Sequence, residues 1–286
     1  MQVKNSTREE YQKRINIIIE YINHHLDEDI ELVKLAEMSN FSLFHFHRIA
    51  KAFLGEPIGA FITRVRVETA ARLLRYTDIP VSEVAFRVGY DVPSSLSKTF
   101  QLFYGISPSM YRKDKNYTIM ETQNPQPELK LKAPKIRELE TKNVIYIHLT
   151  GKYSELDFCG TWTRLWGYVK ECKLYSAGIE HISVYHSDPK VTEPDKLQTD
   201  ICLAIHKPVK RSGRIGVKQV PGGKYAIFQY QGPYSNLGAV YDMIFSEWLP
   251  QSGEKLGDKD CFEKYLNNPE NTEPEKLKTE IYLPLQ

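Results

Sequence analysis

Phe44, His47, Arg48 and Lys51 stand at i, i+3, i+4 and i+7 within SNFSLFHFHRIAKAFLGEP. On a helix that spacing puts them on one face. Their chemistry suits the edge of a base pair: a guanidinium bonds guanine bidentately, an imidazole donates or accepts, and a ring meets a thymine methyl. A second set closes the chain. In TEPEKLKTEIYLPL (Thr272 to Leu285) strand alternation sends Ile281, Leu283 and Leu285 one way and Glu280, Tyr282 and Pro284 the other. Tyr153, Tyr225, Phe228, Tyr230 and Tyr234 gather near this motif and its upstream copy, and Trp162, Trp166 and Trp248 are at hand to fill the space beside them. An acid walled by such rings suits a flat or lipophilic cation, through apolar contact, cation–π attraction and one opposite charge. Taken singly, each set has a plain reading as a solvated basic face or an acid on wet sheet. Duplication argues against the plain reading in both cases.

The first set sits in a unit written twice. Residues 10–26 place Tyr11, Ile15, Ile18, Ile19, Ile22 and Leu26 at helical spacing, a short helix covers Leu32 to Met38, and a third runs from the N-cap Ser42 to Gly55 with Phe46, Ile49, Ala50 and Phe53 buried. Val81 to Arg112 repeats this layout: Leu35-Ala36 answers to Val84-Ala85, Phe41 to Tyr90, Phe46 to Leu96, Arg48 to Lys98, and Gly55 to Gly105. The second copy predicts an inner face of Leu96, Thr99, Phe100 and Phe103 and an outer face of Ser94, Ser97, Lys98 and Gln101. Between the copies runs a helix from Pro57 to Tyr76 carrying Arg64, Arg66, Arg72 and Arg75. At 1.5 Å per residue it spans about 28 Å, close to the ~34 Å repeat of B-DNA, so a monomer could set two recognition helices into successive major grooves.

The second set also belongs to a duplication. TEPDKLQTDICLAI (Thr192 to Ile205) precedes the closing motif, and VIYIHLTGKYSELDFCGTWTRLWGYV (from Val144) corresponds to YAIFQYQGPYSNLGAVYDMIFSEWL (from Tyr225), with Gly-Lys-Tyr-Ser matching Gly-Pro-Tyr-Ser. Each copy reads as strand, turn, amphipathic helix, a strand near Tyr185 or Tyr265, and a final strand, so the two make a pseudo-twofold α/β unit. The Pro-rich stretch NYTIMETQNPQPELKLKAPK breaks any period and reads as a linker over 116–135, leaving domains at 1–115 and 136–286.

A net charge of +2 would not by itself suggest nucleic acid, yet residues 41–115 hold eleven Lys and Arg against six acids while 1–40 hold five against eight. The positive charge is local, on the first duplicated unit. No apolar run approaches the ~18 residues of a membrane span and the start is polar, so a cytoplasmic protein without a membrane partner is expected. Cys159, Cys172, Cys202 and Cys261 form no CxxC pair and have no His at metal spacing, and P-loop, HExxH and Ser-His-Asp patterns are absent from the sequence. No cofactor, metal or catalytic residue is expected.

LAEMSNFSLFHFHRIAKAFLG and VAFRVGYDVPSSLSKTFQLFYGISPSMYR, with G-x-S-P-x-x-Y-R intact as Gly105, Ser107, Pro108, Tyr111 and Arg112, resemble the DNA-binding domain of the AraC/XylS regulators. The resemblance implies that Phe44, His47, Arg48 and Lys51, and Pro93, Ser94, Ser97 and Lys98, lie in or beside the major groove, the small second set suiting phosphate. The two TEP(D/E)KLxT(D/E)I strands, the Gly-x-Tyr-Ser turns and VPGGKYAIFQYQGPY resemble the GyrI-like effector-binding domain, and imply that Glu280 lies in a drug pocket. The implied whole is multidomain, an all-α tandem helix-turn-helix domain followed by an α+β, duplicated, SHS2-type domain, in a layout similar to Rob-type regulators. Its expected partners are double-stranded DNA, a small-molecule effector and, as a further contact, RNA polymerase. Two alternatives remain open: a hydrolase of reactive small molecules, with Glu280 as base beside Tyr153 or Tyr234, and a purely architectural DNA binder.

Overall fold

The computed structural model describes residues 7–114, 129, 131–209, 214–257 and 259–286, and most of the expected linker lies outside them. The chain divides into two compact units, one holding the helices of the first half and one holding the sheet. Among the described residues no helix is long and apolar enough to cross a membrane.

In the helical unit, α1 (Thr7–His24), α2 (Leu32–Met38) and α3 (Leu43–Leu54) precede the linking helix α4 (Ile58–Tyr76), and α5 (Val81–Arg87), α6 (Pro93–Tyr104) and α7 (Pro108–Lys113) follow it. Two separate cores form. Ile15, Ile18, Ile22, Leu35, Phe46 and Ala50 pack with Ile58, Phe61 and Ile62 from the first half of α4. Val84, Ala85, Leu96, Phe100 and Tyr111 pack with Val67, Ala70, Ala71 and Leu74 from its second half. One rigid helix therefore seats both helix-turn-helix copies.

Two of its arginines serve that role and not a nucleic acid. Arg64 is buried and paired to Glu56 at 2.8 Å and Glu68 at 3.1 Å, and Arg66 donates to the carbonyls of Leu26 and Glu28. The inner face of α6 also differs from expectation. Tyr104 is buried where Phe103 was expected, and Phe103 is 46% exposed, because Gly105 (φ 73) ends the helix one residue past Tyr104 and turns the chain.

The turns between paired helices need a left-handed residue, which is Asn40 (φ 52) in the first copy and Gly89 (φ 78) in the second. A Cβ on Gly89 would meet the Leu26 carbonyl oxygen and the Arg66 guanidinium. Gly89→Ala is expected to destabilise the helical unit by about 1–3 kcal/mol from backbone strain alone, measured by chemical denaturation followed by circular dichroism at 222 nm.

The second unit runs β1 (Lys135–Leu139), β2 (Lys142–Thr150), α8 (Phe158–Glu171), β3 (Glu180–Tyr185), β4 (Gln198–Ala204), β5 (Gly216–Val220), β6 (Gly223–Gln231), α9 (Leu237–Met243), a π-helical turn (Ile244–Trp248), α10 (Leu249–Ser252), β7 (Cys261–Tyr265) and β8 (Lys278–Pro284). The eight strands form one sheet in the order β1-β6-β8-β7-β3-β4-β2-β5. The duplication's twofold passes between β7 and β3, and each half lends its first strand to the other's outer edge. β1 stands at one end of that order and β2 next to the other end, yet the two are joined by a two-residue turn, and Gly222, between β5 and β6, donates to Thr141 in it. The sheet must curl to allow this.

Curling gives the faces different fates. On the concave face Val144, Tyr146, Ile182, Cys202, Val220, Tyr225, Phe262 and Tyr282 make a packed core shared by strands from both ends. On the convex face α8 lies over β2 and β4. Val240 and Ile244 of the second helix cover Ala226, Phe228, Ile281 and Leu283. What remains of the convex face, along β3 and β7, is the strip between the two helices.

Candidate functional site

On α3 the Ser42 hydroxyl accepts from the His45 amide and Gly55 closes the C-terminus at φ 76. Phe46 and Ala50 are thereby fixed inward, and His47, Arg48 and Lys51 are exposed together. The side chain of Phe44 lies outside the described ones. On α6 Ser94, Lys98 and Gln101 are exposed, while Pro93 and Ser97 are half-buried and the Ser97 hydroxyl donates back to the Pro93 carbonyl at 3.1 Å. The first helix thus presents the richer set of donors.

In the sheet unit the strip on the twofold holds an acid that the sequence motifs do not single out. Glu263 pairs in register with Ser183, its counterpart in the other copy, and is 2% exposed. Its Oε2 accepts from Tyr265 at 2.7 Å and Tyr185 at 3.3 Å, and those two phenols, themselves counterparts, lie 3.0 Å apart. Tyr241 of α9 brings a buried hydroxyl to the same carboxyl without completing a bond of ordinary geometry. Beside them on the same face, the buried Ser183 hydroxyl approaches Tyr265 without completing a bond of ordinary geometry, and the buried Thr279 hydroxyl has no partner among the described residues.

The Gly-x-Tyr-Ser turns explain themselves here. Gly151 (φ 134) and Gly232 (φ 151) swing the chain off β2 and β6, so that Tyr153 meets Tyr185 edge-on at 5.1 Å and Tyr234 meets Tyr265 edge-on at 5.3 Å. Tyr153 is locked by donating to the carbonyls of Ser187 and Gln198. Trp162 of α8 lies edge-on to His181 at 4.9 Å and 6.3 Å from Tyr265, and Trp166 donates to His181 Nε2 at 3.0 Å.

Burial raises the Glu263 carboxyl to about 7, more than its phenol donors lower it. Burial also holds the phenols of Tyr153, Tyr185, Tyr241 and Tyr265 well above their ordinary value and pushes Tyr234 up to about 12. It lowers His181, which keeps that ring neutral, as its acceptor role toward Trp166 requires. The site is a ring of neutral donors around one carboxyl.

The ring set expected around Glu280 is split by the fold. Tyr153, Tyr234, Trp162 and, through His181, Trp166 gather at Glu263. Phe228, Tyr230 and Trp248 belong to the core beneath the second helix. Tyr225 and Tyr282 are buried on the concave face, where Tyr282 stacks on Phe262 at 4.3 Å. Glu280 projects to that face too, half-buried, accepting from Tyr282 at 2.7 Å and Gln229 at 3.3 Å. The pocket drawn around Glu280 is therefore not assembled, and a base there is across the sheet from Tyr153 and Tyr234.

Asp200, the first copy's equivalent of Glu280, has a different environment. His148 Nδ1 lies 2.6 Å from Oδ1, His186 Nε2 lies 2.8 Å from Oδ2, and the Lys218 ammonium rests on Oδ2 as well. Asp260 holds the other His186 nitrogen at 2.7 Å. Burial alone would lower His186, but Asp200 and Asp260 outweigh it and raise the imidazole to about 9. Burial alone would raise Asp200, but Lys218, His186 and His148 hold it well below the carboxylate range. His148, His186 and Asp200 offer donor atoms within 4.8 Å of one another, as a metal triad would. Lys218 already occupies the oxygen a metal would take, and a dication added to that ammonium would leave buried positive charge uncompensated.

A model of the GyrI-like small molecule binding domain matches residues 132–286, and one of a helix-turn-helix domain matches residues 35–114. The uncharacterized HTH-type transcriptional regulator YbfP of Bacillus subtilis is 32% identical over 102 residues, covering 36% of this chain and 35% of YbfP. The HTH-type transcriptional activator AarP of Providencia stuartii is 33% identical over 98 residues, 34% of this chain and 73% of AarP. The solved DNA-binding domain of AdpA, in complex with a target DNA, is 28% identical and covers 39% of this chain and 99% of its own, with a TM-score of 0.35. The chain thus spans about a third of the length of YbfP.

Proposed function

Because the chain belongs to the GyrI-like small molecule binding family and carries an AraC-type helix-turn-helix domain ahead of that module, we propose that it is a transcriptional regulator whose activity responds to a lipophilic cation bound at Glu263. One observation carries the ligand class. A carboxyl on the twofold is buried among phenols, with the Trp162 indole 6.3 Å from one of them, and among the described residues no cationic side chain pairs with it. A monocation with apolar bulk supplies the missing charge and uses the ring faces.

DNA reading rests on α3, with α6 gripping phosphate. A ligand alters activity by binding one state of the regulator more tightly than another, whether the readout is DNA affinity or polymerase contact.

An anisotropy titration tests the DNA side, using the duplex that the protein selects from a random pool and an unrelated duplex. Arg48→Ala is expected to weaken the selected duplex by about 1–3 kcal/mol and relax specificity, whereas Lys98→Ala weakens both duplexes alike. An unchanged ratio of selected to unrelated affinity in Arg48→Ala removes α3 from base reading.

A further inference from the structure

The curled sheet carries two buried acids with opposite settings. Asp200 on the concave face has Lys218 and two imidazoles against it. Glu263 on the convex face has, among the described residues, phenols and neutral hydroxyls around it. Among the described residues the titratable groups on its side of the sheet belong to β3 (His181, Tyr185), β7 (Cys261, Tyr265), α9 (Tyr241) or the two Gly-x-Tyr-Ser turns (Tyr153, Tyr234). The phenols stay protonated and His181 stays neutral near pH 7. His186 and Lys218 belong to the concave-face network around Asp200. An ionised carboxylate with no counterion is costly in such surroundings. Something must neutralise it, and two agents are available: a proton, or the charge of a guest.

Resting on the reading of Glu263 as an effector site, we infer that a lipophilic cation enters by exchange for a proton, the Glu263 carboxylic acid losing its O–H proton to solvent as the carboxylate takes the guest's charge. The balance is one cation in and one proton out, with no change in the net charge of the buried site. The phenols of Tyr185 and Tyr265 serve both states, since a hydroxyl accepts from the acid or donates to the carboxylate by rotating its hydrogen. The site would therefore read the cation and the pH together. Because the free carboxyl titrates at about 7, the proton released per cation falls from near one at pH 6 to near none at pH 8.5.

Calorimetric titration of the full chain with benzyltriphenylphosphonium, a permanent cation with no titratable group, tests this in buffers of different ionisation enthalpy. At pH 6 the buffer dependence should report close to one proton released, and the apparent affinity should rise about tenfold between pH 6 and 8.5. In Glu263→Gln the affinity should be lower and flat with pH. Neutral triphenylphosphine oxide should release no proton. Binding of the cation to the wild type at pH 6 without proton release, or with a pH-independent affinity, overturns the exchange while leaving the effector site standing. No binding at either pH overturns the cation reading itself.

Discussion

Asp200→Asn is expected to lower the stability of the sheet unit by about 3–5 kcal/mol, the range for breaking a buried ion pair by removing one partner. The carboxylate is the hub of the concave-face network: without it Lys218, 7% exposed, keeps a buried ammonium with no carboxylate against it, and His186 keeps only Asp260. The matching change in the other copy, Glu280→Gln, should cost under about 1 kcal/mol, because that acid is half-buried and its hydrogen bonds come from Gln229 and Tyr282, neither of them charged. All three tryptophans lie in the sheet unit, so urea denaturation followed by tryptophan fluorescence reports this unit specifically. Equal losses from the two substitutions would contradict the asymmetry.

The same network sets a pH dependence with a definite sign. The His186 imidazole titrates at about 9 in the folded protein, against about 6.5 in an unfolded chain. Its stabilisation is therefore complete below about pH 6.5 and is lost as pH rises through 9, a change of about 3 kcal/mol. Glu263, raised to about 7 by burial, acts in the same direction over a lower window, between the ordinary carboxylate range and 7. Asp200 acts oppositely, its contribution being lost only as the pH falls below the carboxylate range. Without ligand, the sheet unit should be most stable on the acid side of neutrality and weaken steadily to pH 9.5. Urea midpoints from pH 5 to 9.5 measure this, and His186→Gln should flatten the upper limb. A midpoint that rises from pH 6.5 to 9 would contradict the imidazolium bridge.

The helical half was legible almost throughout, because caps, glycines and a 3.6-residue stripe are local signals. Ser42, Gly55 and Gly105 act as read, and the duplicated layout recovers both helix pairs. The exception is Phe103, where the winding of the last turn decides between neighbours. The arginines of α4 were ambiguous for a related reason: Arg64 answers to Glu56 and Glu68, and Arg66 to carbonyls 38 and 40 residues away.

In the sheet half, alternation correctly sorted β8 into two faces, but no local pattern says which face a curled sheet closes upon. That closure depends on each half lending an edge strand to the other, a long-range exchange. Glu280 stands on the repeated motif, whereas Glu263 in CFEKY, the acid proposed to meet the effector, stands where the repeat is broken: Ser183 is at the matching place. The departure from symmetry, one acid on the axis where its counterpart is a hydroxyl, was the available signal, and Tyr185 and Tyr265 flank it in both copies.

In the proposed regulator the effector's charge is met by Glu263, the carboxyl on the axis. Equilibrium titration of the full chain with benzyltriphenylphosphonium at pH 8, comparing wild type, Glu263→Gln and Glu280→Gln, tests it most directly. Glu263→Gln should weaken binding by more than about tenfold, as expected for removing a buried charge partner, while Glu280→Gln should leave it within about twofold. Loss of binding in Glu280→Gln with Glu263→Gln unaffected would place the site on the other face of the sheet and contradict it.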